Sequence, residues 1–385
     1  MKKKYFKQLI ILLIITFIVL TINLLKYNIK FADFYCKTFG DFFTSFIGGF
    51  SNTFYFSFFE IVLISLVVFA LILLILLFIN LFKKNYKIVL DKGLQLTTFG
   101  LSVFLVYSLT AGVCYHRSSL PLPMYEEKVS TSLLNESITY YLNDYNNLAD
   151  SFKKDENKAS IMPYTFDELA HIMQKEMKRL DKYDYFYKFT ARPKGTWFSP
   201  ILSELHITGV DFPLTSEANI NSSMPSIDIP FTMAHEIAHL KGVMREDDAN
   251  TVALYICITS SNPYIRYSGY FRGFFRLLEI KQYTNYEEYK EILRHVSYSI
   301  WNDNEYYSSY FKEHDLLKDI STFVNDLYLM FNGQEDGTGS YDDNSNTIPN
   351  GKDEYGNEIR EYLNYSPYQK IMIQHYLNIK NTKFN

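Results

Sequence analysis

Pro230-Phe-Thr-Met-Ala-His235-Glu236-Ile-Ala-His239-Leu-Lys-Gly242-Val-Met-Arg-Glu246-Asp-Asp-Ala249-Asn250 decides how the rest of the chain is read. It contains the pattern H-E-x-x-H. On a helix, His235 and His239 lie four residues apart, so both imidazoles leave one face and can grip a single ion. Two neutral nitrogens at that spacing suit Zn²⁺, which needs a third protein ligand and keeps one position open for water. Glu236 then faces that water as the expected general base. Farther on stand Glu246 and, four residues later, Asn250. If a second helix begins near Glu246, these two share a face. Glu246 is therefore the expected third ligand, with Asp247 and Asp248 as rivals, and Asn250 the expected hydrogen-bond partner of a ligand histidine. Gly242 lets the first helix stop and the chain reverse, because glycine enters the left-handed region at little cost. Pro230 suits the first turn, where its missing N–H is not needed. Arg245 stands where H-E-x-x-H-x-x-G-x-x-H would require a third histidine, which disfavours that pattern.

His235-Glu236-x-x-His239 followed by Glu246-x-x-Ala249-Asn250 resembles the gluzincin metallopeptidases, whose E-x-x-x-D/N helix supplies the third ligand. A longer run resembles DUF3810, a family of bacterial membrane proteins. It extends from Gly209-Val-Asp-Phe-Pro213 through Glu217-Ala-Asn219-Ile-Asn221, Pro230-Phe-Thr and the histidine motif to Arg266-Tyr267-Ser268-Gly269-Tyr270. The resemblance implies a membrane protein with a zincin-like metallopeptidase domain. It adds no substrate, so the chemistry rests on the residues themselves.

The N-terminal third is membrane-like. Lys2, Lys3, Lys4 and Lys7 precede an apolar run over 9–25, and the absence of a small-x-small cleavage site after it favours a retained helix over a signal peptide. The run 61–82 is the strongest span and closes on Lys83-Lys84; 94–115 is a third, diluted by Thr97, Thr98, Ser102, Ser108 and Thr110. Lysines cluster at the N-terminus and between the second and third spans, at Lys83, Lys84, Lys87 and Lys92. By the positive-inside rule both regions face the cytoplasm, leaving 31–60 and everything after the third span outside. Two parts are expected: a membrane domain over 1–120 and an extracytoplasmic catalytic domain over 121–385.

The catalytic part reads as α+β, mainly α, with a small strand region before the active-site helix. Residues 203–208 and Gly209-Val-Asp-Phe alternate as short strands, an edge on which an extended peptide can pair. Glu217-Ala-Asn219-Ile-Asn221 is a strand or a loop at the cleft; its polar residues are expected to cap and satisfy backbone groups, with a substrate role as the alternative. Among later tyrosines, Tyr267 is the expected donor to a developing oxyanion. The stretch 333–358, rich in Gly, Asp and Asn, reads as a flexible loop or lid. Within it Asp342-Asp343-Asn344 lacks the spacing and closing glutamate of a calcium loop. His171 has no second ligand at helical spacing. The three cysteines, Cys36, Cys114 and Cys257, imply no disulfide framework and read as apolar filler.

Net charge is -4, which gives no case for nucleic acid. The expected function is a membrane-anchored zinc metallopeptidase. It would hydrolyse a peptide or protein substrate near the lipid bilayer through a metal-activated water, with Glu236 as general base. The alternatives are a non-catalytic zinc-binding scaffold of the cell envelope and a zinc hydrolase of a non-peptide envelope amide.

Overall fold

The computed structural model describes residues 2–341, 345–353 and 355–383. The chain is mainly helical. Helices α1 (Lys2–Leu25), α2 (Ile29–Tyr35), α3 (Asp41–Ser51), α4 (Phe58–Phe82) and α5 (Tyr86–Tyr107) form the N-terminal third. Three helices are long and apolar enough to cross a membrane, over Tyr5–Leu25, Phe58–Phe82 and Tyr86–His116. α5 packs against both α1 and α4. Its hydroxyl residues do not reach a neighbouring helix: Thr97, Thr98 and Ser102 donate to the carbonyls of Gly93, Leu94 and Thr98 one turn back. Bonds from α1 to this stretch run from the Tyr5 hydroxyl to the Lys87 carbonyl (3.1 Å), from Gln8 to Asp91 (3.2 Å) and from Asn23 to Ser108 just past α5 (3.4 Å). The apolar helix thus starts at Tyr86, ahead of the apolar run expected from 94, and takes in half-buried Asp91.

Between the first two spans, α2 and α3 turn one face inward. Ala32, Tyr35, Cys36 and Thr44 are buried, while Phe34, Phe39, Phe42, Phe46 and Phe50 point outward. Past α5 the chain continues through a wide turn at Ser108–Gly112 and a tight one at Cys114–His116, both buried against the second half of the molecule. Cys36 and Cys114 meet here, contrary to the expectation of three unrelated cysteines; Cys257 is alone in the core.

The second half begins with α6 (Thr131–Ser151) and α7 (Phe166–Met177), the latter closed at its start by a reciprocal Thr165–Glu168 capping box. A three-stranded sheet follows, from β1 (Lys194–Gly195), β2 (Gly209–Phe212) and β3 (Glu217–Ile220), in the order β1-β3-β2. β3 runs parallel to β1 and antiparallel to β2, pairing Val210 with Asn219 and Phe212 with Glu217. Residues 203–208 do not form the expected strand. Pro200 enters the first turn of a short helix, α8 (Ser199–Glu204), and His206 takes a left-handed φ of 56° that redirects the chain into β2. The centre of the domain is α9 (Ile229–Leu240), α10 (Glu246–Ile258) and α11 (Pro263–Thr284), packed on one another.

Helices α12 (Tyr286–Arg294), α13 (Tyr298–Glu313) and α14 (Lys318–Phe331) then lead to strands β4 (Asn346–Lys352) and β5 (Glu358–Asn364), and α15 (Pro367–Lys383) packs back on α11 and α10. The expected loop over 333–358 is instead a short turn at Gly337–Tyr341 and most of a β-hairpin. The hairpin bend is built by Asp353, whose carboxylate accepts from the amides of Tyr355 and Asn357. The weak acidic motif Asp342-Asp343-Asn344 lies outside the described residues.

Candidate metal centre

α9 is buried along its whole length, so its polar residues need partners inside the protein. His235 and His239 leave the same face, their Nε2 atoms 3.0 Å apart. The helix stops at Gly242, whose φ of 84° lies in the left-handed region, and α10 begins four residues later. That turn carries Glu246 over the histidines: its Oε2 is 3.2 Å from His235 Nε2 and 3.5 Å from His239 Nε2. Three ligand atoms therefore converge on one point. Of the three acidic residues in a row, geometry selects the first. Asp248 turns to Arg245 (2.6 Å), and Asp247 accepts from the Asp248 amide (2.9 Å).

The tautomers suit a cation. His239 Nδ1 is 2.8 Å from the carbonyl of Val243, which can only accept, so Nδ1 carries a proton and in the neutral ring Nε2 turns a lone pair to the centre. Glu246 Oε2 and His235 Nδ1 are buried without a hydrogen-bond partner. Glu246 Oε2 points to the place where a dication would bond it. Asn250 lies beside His235 in one cavity, but its amide Nδ2 donates to the Tyr341 carbonyl (3.2 Å). Its side chain also sits within hydrogen-bonding reach of His235 and favours the charged form of that ring, as expected of the histidine's partner, while its amide links α10 to the turn at Tyr341.

Glu236 stands against β2: a Cβ on Gly209 would lie 2.5 Å from Glu236 Oε1, so only glycine admits the strand so close. Two residues along, Asp211 presents a third buried carboxyl, with Oδ1 unpartnered. Sequence reading missed this residue; an aspartate inside an otherwise apolar edge strand was the available signal. Burial pushes Glu236 up to about 8 and Asp211 up to about 7. Burial also raises Glu246, but the neighbouring His239 outweighs it and draws Glu246 down to about 2. His239 in turn is pushed down by burial and pulled up, to about 10, by Glu246. Three carboxyls thus stand around two imidazoles, with Glu246 held as the ionised one and Glu236 and Asp211 held towards their uncharged forms. A Zn²⁺ ion fits the donor set of two imidazoles and one carboxylate.

A cavity of about 370 Å³ opens over this cluster, with Val210, Asp211 and Glu236 on one wall and Tyr115, Tyr328 and Tyr341 opposite. A second, of about 270 Å³, adjoins it at His235, with Thr208, Thr232, Arg272 and Arg276 among its walls. Tyr267 reaches neither lining. It is fully buried between Tyr145 and Phe152, with its hydroxyl donated to Asp303. The tyrosines at the cavity come from parts of the chain with no motif to announce them: the end of the third span, α14 and the turn before β4. His171 is exposed, with Nδ1 on the Asp167 carbonyl at 2.8 Å, away from any cluster.

The Glu217-Ala-Asn219 strand serves the membrane segment, not the cleft. Glu217 accepts from the amides of Phe58 (3.1 Å) and Phe59 (2.6 Å), the first turn of α4, and from buried Lys194. Asn219 accepts from Ser57 (2.8 Å). A helix N-terminus leaves amides unpaired, and an anion there is doubly favoured. The small sheet is thus fastened by β3 to an apolar helix long enough to cross a membrane, and with β2 it lines the cavity over His235, His239 and Glu246.

No curated protein and no solved structure matches the chain. A family model described as a protein of unknown function, DUF3810, matches residues 35–346 and so takes in the spans after the first, the sheet, α9, α10 and the turn at Tyr341. By that match, over well more than half of its length, the chain belongs to the DUF3810 family.

Proposed function

We propose that this protein is a membrane-anchored zinc metallopeptidase of gluzincin type. The observation that carries the reading is the convergence of His235 Nε2, His239 Nε2 and Glu246 Oε2 beneath a cavity walled by Glu236 and an edge strand. His235, His239 and Glu246 would hold the ion. Zinc bound there supplies Lewis acidity to a carbonyl and lowers the pKa of a water.

The remaining work falls to the protein's own groups. An extended peptide pairs its main chain with the free edge of β2, which sets the scissile bond over the histidines. Glu236, raised towards neutrality by burial, takes the proton of the attacking water on a carboxylate oxygen and returns it to the departing amine. The hydroxyls of Tyr328 and Tyr341 take the donor role that sequence reading gave to Tyr267. A purely structural zinc site would close with a fourth side chain, and would need no carboxyl at Glu236.

The substrate is proposed to lie at the membrane, on the side opposite the lysine-rich N-terminus and the Lys83–Lys92 connection. α14 supports this. Ser321 and Asn325 face the cavity, while Ile320, Phe323, Leu327 and Phe331 are exposed on the outside. The helix adjoins the third span, with Phe331 6.0 Å from the ring of Phe104 and Asn332 accepting from Tyr107 (2.6 Å). An amphipathic helix so placed lies in the lipid interface and brings the cavity down to it.

The test is hydrolysis of a peptide library displayed on lipid anchors in vesicles containing the purified protein. Cleavage that stops with a zinc chelator and returns with added zinc is expected. Persistent absence of cleavage by a protein carrying stoichiometric zinc would leave only a binding role.

A further inference from the structure

Cys36 and Cys114 are 78 positions apart in sequence, yet their Sγ atoms lie 2.7 Å from each other and both residues are buried. Cys36 follows α2, the external helix after the first span. Cys114 follows α5 at the outer end of the third. The place where they meet is a joint. The Tyr187 hydroxyl lies 2.9 Å from Cys114 Sγ, and the Tyr187 ring fills the space that side chains at Gly40 and Gly242 would occupy. Gly242 is the residue that ends α9 after His239. Arg117 closes the same joint by donating to the Gly242 carbonyl (3.1 Å) and the Tyr185 carbonyl (2.7 Å). Met244, which lines the metal-centre cavity, packs in one apolar cluster with Cys36, Cys114 and Tyr187.

We infer that Cys36 and Cys114 form a disulfide in the mature protein, tying the external helix α2 to the exit of the third span. The cross-link then holds the floor beneath the loop that joins His239 to Glu246. A disulfide bond spans about 2.05 Å, so sulfurs 2.7 Å apart need to approach by only about 0.65 Å. Both cysteines sit on the side of the bilayer that carries the proposed catalytic domain, and the inference rests on that side being extracytoplasmic, where disulfides persist. In forming it, both S–H bonds break and one S–S bond forms. The two electrons and, by way of solvent, the two protons pass to the disulfide of an extracytoplasmic thiol–disulfide oxidoreductase, whose S–S bond breaks to give its dithiol. Cys257, buried by itself in α10, stays a thiol and serves as an internal control.

The experiment is acid quenching of cells, alkylation of free thiols under denaturing conditions, and peptide mapping before and after reduction. The expected result is one cross-linked peptide pair containing Cys36 and Cys114, with Cys257 fully alkylated. Recovery of Cys36 and Cys114 as alkylated thiols would overturn the inference. Protease digestion of the domain in intact spheroplasts, run in parallel, tells whether the orientation or the cysteine pairing was at fault. In purified protein, Cys36→Ser and Cys114→Ser should each lower the unfolding temperature by several degrees under oxidising conditions, and reductant should bring wild type down to the same value. Unchanged wild-type melting under reductant, with the bond demonstrably cleaved, would refute the bracing role.

Discussion

Two buried polar clusters lie on either side of the same small sheet, and they differ in what is left over. On β3, Glu217 uses both oxygens: Oε1 takes Phe58 N and Lys194, and Oε2 takes Phe59 N. Asn219 likewise spends its carbonyl on Ser57 and its amide on two backbone oxygens. Beside β2 the residues are less deeply buried, and the enclosed atoms Glu246 Oε2 and Asp211 Oδ1 have no hydrogen-bond partner. Polar groups withdrawn from water are normally paired, because an unpaired one costs about 1–3 kcal/mol. The first cluster is complete as it stands and reads as a joint between domain and membrane. The second gathers two imidazoles and a carboxylate at one point, the donor set that the proposed zinc would take.

Substitutions that separate the two clusters test this contrast. Glu236→Gln should lower turnover by about 10²–10⁴-fold while leaving metal content and melting temperature unchanged. Steady-state hydrolysis beside elemental analysis reads both. Glu217→Ala should do the reverse. It strands Lys194 as an uncompensated buried charge and strips the first turn of α4, with a loss of about 3–5 kcal/mol of stability. The fraction that still folds should bind metal normally, which denaturant titration and metal content together report.

A third buried site shows how a histidine behaves when it is not a ligand. His375 is 2.9 Å from the Tyr141 hydroxyl, and burial, helped by Arg179 and Arg266, lowers it to about 4. Between that value and about 6.5 the unfolded chain binds the proton that the folded one refuses. Stability from this group is therefore full above pH 6.5 and falls as pH drops towards 4, by up to about 3 kcal/mol. His375→Asn should flatten that limb of the stability–pH curve. The smallest effect is expected at Tyr267→Phe. It removes the bond to Asp303, for about 1.5–3 kcal/mol of stability, and should leave turnover per folded molecule intact. A large loss of turnover would return Tyr267 to the mechanism.

The legible parts of this molecule were those encoded within a few turns of helix. H-E-x-x-H, the Gly242 stop and Glu246 all lie within one stretch, and their spacing alone brings them together. The spans were legible for the same reason, since lipid demands a long uninterrupted apolar run. What escaped was carried by distant partners. That Glu217 and Asn219 satisfy other groups of the chain was legible, but not which ones, because their partners at Ser57 and Phe58 lie more than 150 positions away. Cys36 and Cys114 looked unrelated because no local pattern joins α2 to the end of α5. Tyr341 was hidden in a stretch whose composition suggested a loop, and Tyr267 was favoured by its place after the motif although its side chain turns into the core. Composition also misled at 333–358, where Asp353 builds a defined hairpin bend out of residues that elsewhere stay irregular.

The most direct test of the central claim is metal stoichiometry of the detergent-purified protein. Wild type, His235→Ala, His239→Ala, Glu246→Ala and Glu236→Gln would be measured side by side, each checked for folding. The account predicts one zinc in wild type and in Glu236→Gln, and none in the three ligand variants. Well-folded wild type that takes up no zinc after remetallation, or zinc retained when Glu246 is removed, would contradict it.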